Sequence, residues 1–339
     1  MNYFVDPAKL FDTTNSTEKE IALLLHQGNV GGVKNYDERL TQKYRLQLEA
    51  AQPKEFLVIG SSRSMQIGAD VMQASVLNLS VSGASIEDYV AILDLARNFP
   101  AKIIILGVDP WMFNSNSGQT GWKSLAIEYL QGFDRLTKSH KNASLARQVK
   151  DENAWRKLVQ IFNLEYTKAS LLSLLARRND AIKSKPFRKP DDAPEIGFDA
   201  IRMDGSRIYN LAQAKVSKDE AKERAVFYGL SQPIYALQAF TSINSEGMML
   251  FEKLIERLKE NSEVWLFLPP YHPEAYKSIV SKVPMVREAE NALRSLAENR
   301  KIQIFGSFDP DRASCTEDEF FDGMHPKASC LMKIFFRAG

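Results

Sequence analysis

Apolar positions along this chain fall into two kinds of pattern. Short uninterrupted runs come first: Glu55-Phe56-Leu57-Val58-Ile59 closes on Gly60, Val76-Leu77-Asn78-Leu79 follows, and then Ile103-Ile104-Ile105-Leu106. Runs this short, flanked by turn residues, predict strands buried on both faces. Between the last two, Ile86, Tyr89, Val90 and Leu93 recur at helical spacing, with Ser85 placed as an N-cap and Asp88 three residues on. Strand and helix therefore alternate over 55–108, which predicts a parallel sheet with right-handed crossovers and helices on its faces. The pattern returns late: Glu263 to Leu268 reads as a strand stopped by Pro269-Pro270. A helix over roughly 282–298, a strand at Ile302-Gln303-Ile304-Phe305 and a closing helix from near Lys327 follow. Residues 111–243 look different, with helical patterns, many charges and the turn Met203-Asp204-Gly205-Ser206. The expected organisation is an α/β core at 51–110 and 244–339, a large, mainly helical insertion or cap at 111–243, and a polar, mainly helical segment at 1–50. There are no internal repeats and no low-complexity tract.

Composition narrows the function without choosing it. The chain has 339 residues, 44% hydrophobic and 25% charged, ordinary for a globular protein. Its 44 basic and 42 acidic residues leave a net charge of +2 and no basic stripe, so no nucleic-acid partner is expected. No apolar run approaches the roughly 18 residues needed to span a bilayer, and no signal-peptide pattern opens the chain. Neither a Walker phosphate loop, a dinucleotide fingerprint nor a zinc-type spacing of cysteines and histidines occurs, so no cofactor and no metal are expected. Cys315 and Cys330 bracket the segment Asp322-Gly323-Met324-His325-Pro326. Two free thiols and a disulfide closing a loop around that segment both remain open.

In open parallel sheets, ligands bind beyond the carboxyl ends of the strands, and three segments at that edge carry chemistry-bearing residues. Gly60-Ser61-Ser62-Arg63-Ser64 follows the first strand, where a sharp turn can hold a serine hydroxyl clear of the sheet. A serine N-cap would look the same. Gly83, in Ser80-Val81-Ser82-Gly83-Ala84-Ser85, can bring its N–H close to a reacting group or simply turn the chain. Asp322 and His325 lie one turn apart, so both can reach a serine on another loop: His325 as general base on Ser62, and Asp322 orienting its ring.

Taken together, these blocks resemble the SGNH (GDSL) hydrolase superfamily, whose members place a serine after the first strand, a glycine after the second and Asp-x-x-His near the C-terminus. Gly60-Ser61-Ser62 stands where that family has Gly-Asp-Ser, Gly83 matches the second block and Asp322-Gly323-Met324-His325 the last. The resemblance covers roughly 55–114 and 245–339. It implies a flavodoxin-like three-layer α/β sandwich, Ser62 as nucleophile with His325 and Asp322, and the N–H groups of Ser62 and Gly83 as oxyanion donors. One departure stands out. Gly107-Val108-Asp109-Pro110 puts Asp109 where the family has an oxyanion-binding asparagine, and an ionised carboxylate cannot donate. Either Asp109 turns away, paired with Arg63, or another donor such as Asn114 substitutes.

The Gly-Ser-Ser-Arg-Ser and Gly-x-Asp pattern is similar to a bacterial cell-envelope subgroup of the superfamily. That implies an esterase or O-acyltransferase acting on an acylated carbohydrate or other ester, outside the cytoplasm. It also implies a native N-terminal membrane anchor absent from these 339 residues and followed by a segment like Asn2 to Pro7. The alternative is a catalytically degenerate envelope protein that binds or assembles. His272, after the Pro269-Pro270 stop, could contact substrate or be a loop histidine. Trp111, Phe113 and Trp122 could line a pocket or pack in the core. His26 and His140 lie in charged, helical surroundings.

Overall fold

The structure, a computed structural model, describes residues 15–48, 52–138 and 185–336. In chain order its strands are β1 (Asn29–Val33), β2 (Lys54–Gly60), β3 (Val76–Asn78), β4 (Ala101–Gly107), β5 (Phe187–Lys189), β6 (Asp199–Ile201), β7 (Arg207–Ile208), β8 (Glu263–Leu268) and β9 (Gln303–Gly306). The helices are α1 (Ser16–Leu25), α2 (Glu38–Leu48), α3 (Ala69–Met72), α4 (Ile86–Leu95), α5 (Ala126–Thr137), α6 (Leu211–Ala214), α7 (Lys218–Leu230), α8 (Ser245–Leu258), α9 (Pro273–Lys282), α10 (Met285–Arg300) and α11 (Ala328–Phe336). Residues Asn2 to Pro7 and His140 lie outside the described residues.

Five strands form a wholly parallel sheet in the order β3-β2-β4-β8-β9. Side chains alternate between its faces with the period of two that a strand imposes. Leu57, Ile59, Ile104, Leu106, Val264, Leu266 and Leu268 face one core, with α4, α8 and α10 packed over them. Phe56, Val58, Ile103, Ile105 and Phe267 face the other, under α3 and α11. Both sides are buried, which is why the strands appear in sequence as unbroken apolar runs. The result is a three-layer α/β/α sandwich. The chain enters the sheet at β2, goes outward to β3, then returns past β2 to β4. That reversal leaves a crevice between the carboxyl ends of β2 and β4.

Among their described residues the N-terminal segment and the region 111–243 are mainly helical, as expected, but they also carry strands that the expectation did not include. β1 pairs antiparallel with β5 and β6, and β6 with β7, making a second sheet in the order β5-β1-β6-β7. Its small core is Ile21, Leu25, Val30, Val33 and Ile201. The turn at Met203 to Ser206 is the β6–β7 hairpin, and it docks on the main sheet: Asn78 N–H donates to Asp204 O at 2.7 Å. Arg45 bridges the two, donating to Asn78 O and Met203 O. Residues 29–33 carry two glycines and pair with partners more than 150 positions away, so no local pattern marked them as a strand.

Candidate active site

At the end of β2 the chain must turn sharply, and two glycines permit it. Gly60 lies opposite Gly107 across β2 and β4. A Cβ on Gly107 would sit 2.0 Å from Ser64 Oγ, and one on Gly60 2.3 Å from it. Ser61 then leaves the strand in extended conformation, its hydroxyl accepting from Arg63 N–H at 3.2 Å, and a single 3-10 turn runs over Ser62–Ser64. This turn lifts Ser62 to the surface of the crevice while Ser61, Arg63 and Ser64 are buried.

The Asp322 to His325 loop arrives from the other side. Phe320 pairs with Pro326 in a bridge, and Phe321 N–H donates to His325 O at 3.0 Å, which closes a narrow hairpin. Asp322 organises its interior: Oδ1 accepts from Met324 N–H at 2.9 Å and from His325 N–H at 3.0 Å. The His325 ring stands with Nδ1 2.9 Å from Asp322 Oδ2 and Nε2 2.9 Å from Ser62 Oγ. Serine, imidazole and carboxylate are thus in line. A proton held on Nδ1 by Asp322 leaves Nε2 as the acceptor for the serine hydroxyl.

Burial alone would raise the Asp322 carboxyl, but the His325 charge and the hydrogen bonds from His325 and Met324 outweigh it and bring the group to about 2. A carboxyl depressed from about 3.9 in the unfolded chain contributes stability above that value, and loses it as pH falls through the folded one. Wild type is therefore expected to lose on the order of 2 kcal/mol between about pH 4 and pH 2 from this group, a loss missing in Asp322→Asn. Denaturation midpoints measured across that range check it.

Arg63 ties the loops together. Its Nε donates to Met324 O at 2.9 Å, inside the Asp322–His325 turn, and Nη2 donates to Pro269 O beyond β8. Nη1 pairs with Asp109 Oδ1 at 2.7 Å, both side chains being sealed from solvent. The guanidinium also lies 3.9 Å from the Tyr271 ring centroid. Burial raises the Asp109 carboxyl, opposed by the Arg63 charge and the Ser61 hydroxyl. Asp109 is therefore turned away into this pair, one of the two arrangements the sequence left open.

The other arrangement is corrected. Both amide hydrogens of Asn114 are taken, by Ala236 O and Gln238 O at 3.0 Å each, because this residue stitches its loop to the one at 236–239. Of the two readings of His272, the loop residue is the one the structure shows. It is fully buried, and its Nδ1 accepts from Glu274 N–H at 3.1 Å, capping α9. Burial lowers its pKa. Its contribution to the site is its main chain, whose N–H donates to Gly323 O at 3.1 Å. Trp111 and Phe113 are core residues, Trp122 stacks edge-on with Tyr129, and His26 is exposed at the end of α1.

The chain beyond β3 keeps following β2 toward the Ser62 turn: Val81 N–H donates to Gly60 O at 3.0 Å. Two residues on, Gly83 adopts φ +58°, the left-handed region that favours glycine. Neither its N–H nor that of Ser62 has an acceptor among the described residues. The braces for this loop come from the N-terminal segment, which local sequence did not signal. Glu38 accepts from Ser82 N–H, while Arg39 donates to Ser82 O at 3.0 Å and pairs through both ends with Asp88. Tyr209 stands beside His325, ring centroids 6.3 Å apart, against Phe321.

Cys315 and Cys330 form a disulfide, and the loop it closes carries both Asp322 and His325. A cross-link over this length contributes about 3 kcal/mol by restricting the unfolded chain. The double variant Cys315→Ala/Cys330→Ala is expected to lose about that much in chemical denaturation, and reduced wild type should match it. Among the described residues no cluster of His, Cys, Asp or Glu is arranged to hold a metal ion, and no helix is long and apolar enough to cross a membrane. No protein-family model and no curated protein sequence matches this chain.

Proposed function

We propose that this chain is a serine esterase or O-acyltransferase of the SGNH (GDSL) type, acting on ester-linked acyl groups such as acetyl on a carbohydrate. The observation that carries the reading is the continuous line from Asp322 Oδ2 through the His325 ring to Ser62 Oγ, with two contacts of 2.9 Å, at the carboxyl edge of a parallel sheet where its strand order reverses. The flavodoxin-like strand order and the spacing of the blocks at Ser62, Gly83 and Asp322–His325 support the family resemblance.

Ser62 Oγ attacks the acyl carbonyl carbon as its proton passes to His325 Nε2, while Asp322 stabilises the imidazolium. The N–H groups of Ser62 and Gly83 receive the oxyanion. Collapse breaks the ester C–O bond, the departing alcohol takes the proton from His325, and the acyl group stays on Ser62. Water or a sugar hydroxyl then attacks the acyl-serine, losing its proton to His325, and Ser62 leaves reprotonated. Water gives hydrolysis and a sugar gives transfer.

A second reading, a binding or assembly protein that keeps the fold without turnover, draws on Asp109, which supplies no oxyanion donor. The experiment that separates them is release of acetate from p-nitrophenyl acetate and acetylated oligosaccharides, with and without a hydroxyl acceptor. The enzyme reading expects Ser62-dependent turnover, whereas folded protein that turns over no ester supports the binding reading. We propose that the protein works outside the cytoplasm. The disulfide supports that placement, since such bonds persist in oxidising compartments.

A further inference from the structure

Ser62, His325 and Asp322 are in line, but beside the main-chain N–H groups of Ser62 and Gly83 the two side chains that the sequence offered as a third oxyanion donor are both committed elsewhere. Asp109 is locked to Arg63 and Asn114 to two carbonyls. A different pair of polar ends converges on Gly83. A Cβ built on Gly83 would meet Gln119 Oε1 at 2.5 Å and Tyr235 Oη at 2.7 Å. The carboxamide of Gln119 and the phenol hydroxyl of Tyr235 have no hydrogen-bond partner among the described residues, where Gln119 bonds only through its main-chain N–H, to Ser117 Oγ.

The surrounding structure holds them there. Asn114 and Asn116 tie the loop that bears Gln119 to carbonyls at Ala236, Gln238 and Ala239, next to Tyr235. Ala236 and Ala239 sit at φ +58° and +47°, a strained backbone that persists only where its surroundings impose it. The Tyr235 ring stands edge-on to the buried Trp111, centroids 5.7 Å apart, and Trp111 Nε1 donates to Ala84 O, the residue after Gly83. Two loops are thus braced so that a carboxamide and a hydroxyl with no partner of their own among the described residues lie against Gly83.

We propose that Gln119 supplies the third oxyanion donor, in place of the amide that Asp109 lacks. This inference rests on the hydrolase reading above. A carboxamide swings about its last side-chain torsion at little cost. Once substrate binds, the Tyr235 hydroxyl would donate to Oε1, a bond the structure does not yet hold, and leave the NH2 group to face the acyl oxygen. Its bond strengthens as that oxygen gains charge, so the interaction belongs to the transition state more than to the bound substrate.

The test is p-nitrophenyl acetate kinetics and thermal unfolding of wild type, Ser62→Ala, Gln119→Ala, Gln119→Glu and Tyr235→Phe. Gln119→Ala is expected to lower kcat on the order of 100-fold, with KM little changed and the unfolding temperature unmoved, because the side chain has no protein partner to lose. Gln119→Glu, which aims a carboxylate at the oxyanion, should fall at least as far, and Tyr235→Phe less. A Gln119→Ala kcat within about twofold of wild type, or a loss that tracks a lowered unfolding temperature, overturns the proposal while Ser62-dependent turnover by wild type keeps the hydrolase reading. Absence of Ser62-dependent turnover in wild type overturns both.

Discussion

His325→Ala is expected to lower kcat for an activated ester by about 10⁴- to 10⁶-fold while leaving the fold intact. The two halves of that expectation have separate causes. The His325 ring contacts Ser62 on one side and Asp322 on the other, and it stands at the crevice beside Tyr209, outside both hydrophobic cores of the sheet. Without the imidazole, however, Ser62 has no group to take its proton, and an alcohol is a weak nucleophile at its own pKa. Because the members of such a unit act together, Ser62→Ala/His325→Ala should be no slower than either single variant. Asp322→Asn should cost about 10⁴-fold by presenting the wrong tautomer. Asp322→Ala differs in a way that stability can read, since it strips the acceptor from the N–H groups of Met324 and His325. Steady-state kinetics paired with denaturation midpoints separate these effects.

The largest stability effect is expected at Arg63, although the residue is not in the triad. Arg63→Met leaves the Asp109 carboxylate buried beside Ser61 without its counter-charge, and frees the carbonyls of Met324 and Pro269. Breaking a buried pair from one side costs about 3–5 kcal/mol. Arg63→Lys should rescue little, since an ammonium cannot reach three acceptors in the plane of a guanidinium fork. Removing both charges, as Arg63→Met/Asp109→Leu, should recover part of the loss because no orphan charge remains. Urea denaturation of wild type, Arg63→Met, Asp109→Leu and the double variant measures this cycle directly, with Arg63→Lys run beside it. Activity should follow in the same order, since the Met324 carbonyl that Arg63 holds lies between Asp322 and His325.

Much of this was legible in the sequence, for physical reasons that differ by element. The strand read at Glu263 to Leu268 has the observed bounds, and β2 and β4 lie within a few residues of the runs that announced them, because a strand covered on both faces must be apolar throughout. The capping role read at Ser85 and Asp88 also appears, with Ser85 N–H donating to Asp88 Oδ2 at 2.9 Å. The His272 cap had a local signal that could have been used: a proline at 273 in the first helical position and an acid at 274. The remaining errors share a cause. β1, Glu38 and Arg39 act on segments 40 or more positions away, and Gln119 and Tyr235 come together at Gly83 only where two loops cross. Asn114 was assigned from its residue type, and nothing in Asn114-Ser115-Asn116 reveals that its amide is spent on a neighbouring loop. Period and motif describe what a segment does for itself, whereas contacts across the chain are set by the closed fold.

The central claim is that Ser62 is an activated nucleophile. Intact-mass spectrometry after treatment with a small fluorophosphonate tests it most directly, comparing wild type with Ser62→Ala and His325→Ala. The account predicts one adduct per wild-type chain, lost in Ser62→Ala and sharply slowed in His325→Ala. Folded wild type that takes up no adduct, or an adduct that survives Ser62→Ala, would contradict it.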